Sequence, residues 1–151
     1  MRSKKGFTLV ELLVVILVIG ILAGIGIYYF RGLFVRQRLE EARNDVIAFY
    51  QRTNRYATTD GVDYKIEVDR QNEFIRCMIA QASATTRDSL GIRSDLDLEH
   101  TGGGTITFTV NSDGTVDDDD NIREFTITDN DIGKTIKFYI SPIGVMEAEV
   151  Q

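Results

Sequence analysis

Apolar and polar positions along the chain follow two different patterns. From Leu12 to Phe30 there is no Asp, Glu, Lys or Arg in a run of 19 residues. At 1.5 Å per residue such a run makes about 28 Å of helix, close to the roughly 30 Å hydrocarbon core of a bilayer. Beyond it, apolar side chains recur at Val35, Leu39, Ala42, Val46 and Phe49, in steps of 4, 3, 4 and 3. That is the stripe of a one-sided helix. Arg31, Arg36, Arg38, Glu40, Glu41, Arg43 and Asp45 fill its other faces, which predicts a solvated face. The spacing therefore predicts one helix from about residue 7 to about residue 53, roughly 70 Å long. Its first half is apolar all round, and the stripe of its second half must pack on whatever follows.

After Asn54 and Gly61, both turn formers, the period shortens. Val62, Tyr64, Ile66 and Val68 alternate with polar residues and predict a strand. Residues 69–84 read as a second helix, with Phe74, Cys77, Met78 and Ala82 on one face. Residues 85–104 are rich in Ser, Thr, Asp and Gly and read as a loop holding His100, to which no function is assigned. From residue 105 the period is two: Ile106, Phe108 and Val110, then Phe125 and Ile127, then Ile136, Phe138 and Ile140, then Met146, Ala148 and Val150. Asp113-Gly114 and Ser141-Pro142-Ile143-Gly144 supply turns. Four short strands predict one antiparallel sheet, with one face against the amphipathic stripe.

Charge divides the chain in the same place. Residues 57–151 hold 8 basic and 19 acidic side chains, a balance of −11. A domain this acidic repels phosphate, so no nucleic-acid partner is expected. One cysteine excludes an internal disulfide, and one histidine excludes sites needing two imidazoles. No nucleophile–base pair or phosphate loop is evident, so no enzymatic activity is expected.

Arg2, Lys4 and Lys5 precede Gly6-Phe7-Thr8-Leu9-Val10-Glu11-Leu12. A secretory signal cut near Ala23-Gly24 would share the basic start and apolar core. However, Glu11 at the head of the apolar run and the helical pattern beyond residue 30 both fit it poorly. The segment resembles the leader of type IV prepilins and type II secretion pseudopilins. Asn54, Arg55, Tyr56, Thr58 and Thr59 are similar to the segment that follows the long helix in that family. Ser141-Pro142-Ile143-Gly144 is similar to a Pro-x-Gly turn of its minor subunits.

The resemblance implies an α+β, pilin-like fold. Residues 1–6 would be a leader, 7–30 the membrane and assembly half of the helix, 31–56 its amphipathic half, and 57–151 a globular domain with a C-terminal sheet. It implies cleavage between Gly6 and Phe7 by prepilin peptidase and methylation of the new Phe7 amine. Assembly through Phe7 and Glu11 would follow, with copies of the chain or other pilin-like subunits, on an inner-membrane assembly platform. The chain would cross the cytoplasmic membrane once. Charges on the two flanks of the span leave its orientation open, and the resemblance implies leader inside and domain outside. Inside an apolar bundle, Glu11 and the Phe7 ammonium of a neighbour would each offset the other's desolvation. Family helices often carry a proline near this depth; here Ile25–Phe30 has none, and Gly24 and Gly26 stand nearby.

Asp113, Asp117, Asp118, Asp119 and Asp120 place five carboxylates within eight residues. The family's major pseudopilins hold calcium in this part of the sheet, and calcium suits such oxygens. The spacing does not fit an EF-hand, and a solvated hairpin loop is the other reading. No cofactor is otherwise required. The competing functional reading is a membrane-anchored extracytoplasmic binding domain, for which Phe7 and Glu11 would serve no purpose.

Overall fold

The structure, a computed structural model, describes residues 7–81, 85–101, 104–118 and 124–151, the side chains of 27–35 and 118 excepted. The chain divides into two compact units, one up to Gln37 and one from Arg38 to Gln151. Helix α1 spans Leu9–Asp60 and is helical through Gly24 and Gly26. It ends seven residues beyond the expected 53. Its buried stripe, Leu39, Val46 and Phe49, continues at Thr53 and Ala57, so the last turns keep a packed face and Asn54 does not break them. Gly61, at φ 67°, closes the helix by donating its N–H to Ala57 O.

Among the described residues nine strands follow: β1 Tyr64–Asp69, β2 Phe74–Ile79, β3 Thr86–Gly91, β4 Leu96–Glu99, β5 Thr105–Val110, β6 Val116–Asp118, β7 Glu124–Asp129, β8 Thr135–Ile140 and β9 Met146–Val150. They form two antiparallel sheets, ordered β3-β2-β1-β5-β6 and β4-β7-β8-β9. The expected single sheet is therefore two, with β5 in the first and β7–β9 in the second. The expected helix over 69–84 is the end of β1, a turn, strand β2 and the start of the next turn where it is described; residues 82–84 lie outside the described residues. In β2, Ile75, Cys77 and Met78 are all buried, because a bulge at Cys77/Met78 breaks the alternation. Two adjacent buried side chains then imitate helical spacing. The expected loop over 85–104 contains β3 and β4. Polar β3 lies at a sheet edge, where one flank meets water.

The core of the second unit collects the stripe of α1 with the inward positions of both sheets, including Tyr64, Phe108, Phe125 and Phe138. Phe125 and Phe138 pair across β7 and β8 and stack at 4.9 Å. Cys77 is fully buried there, and burial pushes its thiol pKa up, as expected for a structural thiol.

The two sheets are tied at their turns. Val116 N donates to Pro142 O at 3.0 Å. Gly114 and Gly144, at φ 86° and 76°, face each other, and an added Cβ on Gly144 would collide with the Gly114 carbonyl oxygen. We expect Gly144→Ala to combine left-handed strain with this backbone clash and to destabilise the fold by about 2–3 kcal/mol. Thermal unfolding reads this loss, and Ile143→Ala in the same turn should be nearly silent because Ile143 is exposed.

Candidate assembly site

Every large apolar side chain from Leu9 to Leu22, together with Ile25, is exposed. The segment Leu9–Gly26 has a mean hydropathy of 2.8 over 18 residues, long and apolar enough to cross a membrane. Such a surface has no stable place in water.

At its head stands a reciprocal cap. Thr8 N–H donates to Glu11 Oε2 at 2.9 Å and the Thr8 hydroxyl donates to the same oxygen at 3.0 Å. Glu11 N–H donates back to Thr8 Oγ1 at 3.2 Å. Thr8-x-x-Glu11 is thus a capping box, satisfying amides that a helix start leaves free and placing a carboxylate at the positive end of the helix dipole. The signal was legible in the sequence as Thr followed three residues later by Glu. The sequence reading assigned Glu11 only to the Phe7 ammonium. Both Thr8 donors reach Oε2, while Oε1 has no hydrogen bond among the described residues. Phe7 is 83% exposed beside this cap. Gly6 lies outside the described residues.

The acidic run divides. Asp113 Oδ1 accepts from Thr115 N–H at 2.9 Å and from the Thr115 hydroxyl at 2.6 Å, which holds the Asp113 carboxyl below the usual carboxylate range. Asp117 accepts from Asn111 Nδ2 at 3.0 Å. Each closes its own turn. The Asp118 side chain, Asp119 and Asp120 lie outside the described residues. Among the described residues no group of three or more His, Cys, Asp or Glu side chains is placed to hold a metal.

Sequence reasoning missed a second polar cluster. Arg38 is not on a solvated face. Its Nη1 donates to Asp95 at 2.8 Å, its Nη2 donates to Asp131 at 3.0 Å, and Asp129 stands 3.8 Å from Nη2. Asp129 is fully buried. Arg52 likewise pairs with Asp88 on β3 at 2.9 Å. Arg36 and Arg55 do point to solvent. The partners of Arg38 and Arg52 lie 36 to 93 residues away, beyond the reach of local periodicity.

Comparison with known proteins agrees with the helix and the sheets. Residues 1–27 match the family described as Prokaryotic N-terminal methylation motif. A fimbrial protein of Moraxella nonliquefaciens is 34% identical over 92 residues, 61% of this chain and 49% of the relative. A Pseudomonas aeruginosa fimbrial protein is 28% identical over 120 residues, 78% of this chain and 67% of the relative. The chain thus spans about half to two thirds of the length of these fimbrial relatives.

Two solved structures share the pilin fold. The minor pseudopilin EpsH of the Vibrio cholerae type 2 secretion system aligns with a TM-score of 0.53 at 17% identity, over 73% of this chain and 97% of EpsH. The type IV minor pilin FimU of Pseudomonas aeruginosa aligns at 0.53 and 21% identity, over 76% of this chain and 90% of FimU. A long N-terminal helix with a C-terminal antiparallel sheet region is the pilin-like α+β fold that the sequence predicted.

Proposed function

We propose that the chain is a structural subunit of a type IV pilus or a type II secretion pseudopilus. In this reading prepilin peptidase cuts between Gly6 and Phe7, and the new amine is methylated. The chain waits in the cytoplasmic membrane with its C-terminal domain outside. An inner-membrane platform then extracts it into a filament of copies or other pilin-like subunits. The observation that carries this reading is the exposed apolar helix headed by a fixed carboxylate. An anchor needs the apolar length and gains from Glu11 only the helix cap, against a charge that in a membrane-spanning segment costs about 2–3 kcal/mol or more. A filament gains a partner for the neighbour's ammonium.

Mass spectrometry of the protein taken from membranes tests the reading. We expect an N-terminus at Phe7 carrying one methyl group. An intact Met1, or a cut near Ala23, would remove the filament assignment and leave the anchored binding domain.

Calcium at the acidic loop is a separate proposal, independent of assembly. Binding to the folded state alone would add roughly 2.7 kcal/mol at a hundredfold excess over Kd. Thermal unfolding in millimolar Ca²⁺ and in chelator decides it. A calcium-dependent rise in Tm that disappears in Asp117→Ala supports the site, and matching melting temperatures remove it.

A further inference from the structure

β3 is held differently from the strands it joins. β1, β2 and β5 each bury three side chains, whereas β3 buries none: Asp88 and Leu90 are half-buried and its other four residues are exposed. It has one neighbour in the sheet, β2, and its register with β2 shifts at Cys77/Met78. A bulge of this kind disrupts the ladder locally. Little apolar burial is left to hold the strand.

What joins β3 to α1 is polar. Arg52 Nε donates to Asp88 Oδ2 at 2.9 Å, and Arg87 Nη1 lies 3.1 Å from Asp60 Oδ2. The Arg87 guanidinium also stands 4.6 Å from the Tyr56 ring centroid. Arg52, Tyr56 and Asp60 follow each other at one-turn spacing on α1, so the contacts run along one ridge of the helix. The four charged side chains are 25–48% exposed, and partly solvated pairs of this kind hold weakly. The far end of the strand is moored. Ile92 N–H donates to Glu73 O at 2.8 Å, and Leu96 beyond it is buried.

Cys77 lies directly behind this seam. It is fully buried, and Asp88 is its register partner, which puts the two side chains on one face of the sheet. Thr53 of α1 and the Asp88 backbone face its sulfur. The Arg52–Asp88 pair thus closes the gap between β3 and α1 beside the one thiol of the chain.

We propose that β3 is a strap. It opens as a unit ahead of the rest of the fold, swinging from its mooring at Ile92 as the arginine latch releases, and it uncovers Cys77 together with the main-chain edge of β2. Folded chains open in such contiguous pieces, and the pieces with few buried apolar contacts open first. The inference is independent of the filament reading.

Thiol labelling of the full chain in detergent micelles tests it. Dithiobis(nitrobenzoate) at about pH 8 reads the thiolate, and Cys77 is the one thiol it can modify. We expect labelling far faster than global unfolding allows, with a urea dependence well below that of the whole domain, because opening a strap exposes little surface. Arg52→Ala with Arg87→Ala should raise the labelling rate about tenfold, from the loss of two partly exposed pairs and a cation–π contact. Phe138→Leu should lower the melting temperature yet leave the labelling rate unchanged, since Phe138 packs in the second sheet, to which β3 does not belong. Labelling that carries the full urea dependence of unfolding, or that accelerates in Phe138→Leu in step with its lost stability, would overturn the strap. An unchanged rate in the double arginine variant would overturn the latch. The wild-type urea dependence decides the matter even if a variant fails to fold.

Discussion

Replacing Arg38 by alanine is expected to lower the stability of the folded domain by about 3 kcal/mol, a shift in Tm of roughly 10 °C. The guanidinium is the cation between Asp95, Asp129 and Asp131, at 2.8, 3.8 and 3.0 Å. Asp131 is largely exposed and regains water without it. Asp129 has no such option, because its side chain is fully buried and its Oδ2 has no hydrogen bond among the described residues. Its other oxygen, Oδ1, accepts the Asp131 N–H at 2.9 Å. Truncating Arg38 leaves a buried carboxylate facing two like charges, and that penalty exceeds the modest gain of an exposed pair. Arg38→Lys should fall between wild type and alanine, since one ammonium cannot reach two carboxylates in the geometry of a planar fork. Adding Asp129→Asn to Arg38→Ala should recover part of the loss, and the double-mutant cycle measures the coupling.

The same cluster fixes the sign of the acid response. Arg38, and after it Arg93, hold the Asp95 carboxyl below the usual carboxylate range. A group whose folded pKa is depressed contributes stability that is complete above its unfolded value and is lost as pH falls through the folded value. Wild-type stability should therefore decline below about pH 4, the unperturbed aspartate range. Arg38→Ala should make that decline shallower, because the folded value of Asp95 moves toward the unfolded one when Arg93 is left as its remaining partner.

What was legible in the sequence divides along the same physical line. A 3.6-residue period held over α1 because one face of the helix meets a continuous core, from Leu39 through Val46 and Phe49 to Ala57. A period of two was legible in β5, β7 and β8, where buried and solvent-facing positions alternate without interruption. It failed at β2, where the bulge sets Cys77 and Met78 on the same buried side. It failed at β3, an edge strand whose polar residues carry no apolar signature. The division into two sheets depends on pairing partners such as β1 with β5 and β4 with β7, which lie far apart in sequence. The N-terminal motif was the most legible part, because it is contiguous. Even there the sequence reading took Glu11 as a charge awaiting a partner and passed over Thr8.

That second role of Glu11 shapes the other large effect expected. Glu11→Lys should be inserted and cleaved but excluded from filaments altogether. It loses the hydrogen bonds from Thr8, sets a cation at the positive end of the helix dipole, and repels the neighbour's Phe7 ammonium. Glu11→Ala should also fail to assemble, but it removes the cap and the charge together and so cannot separate them. Glu11→Gln does separate them. Glutamine serves the third position of a capping box as glutamate does, so Thr8 N–H keeps an acceptor and the helix start stays ordered. What it lacks is the negative charge that would neutralise an ammonium in an apolar bundle. If capping were the whole role of Glu11, Glu11→Gln would assemble like the wild type. We expect it to fail as Glu11→Ala does, with normal processing at Phe7 confirmed by mass spectrometry. Thr8→Val should give a milder defect, since it removes one donor to Oε2 and leaves the charge. Filament content in sheared surface fractions, set against total processed subunit, reads all four variants on one scale. Wild-type incorporation of Glu11→Gln would reduce Glu11 to a helix cap and leave the Phe7 ammonium without its assigned partner.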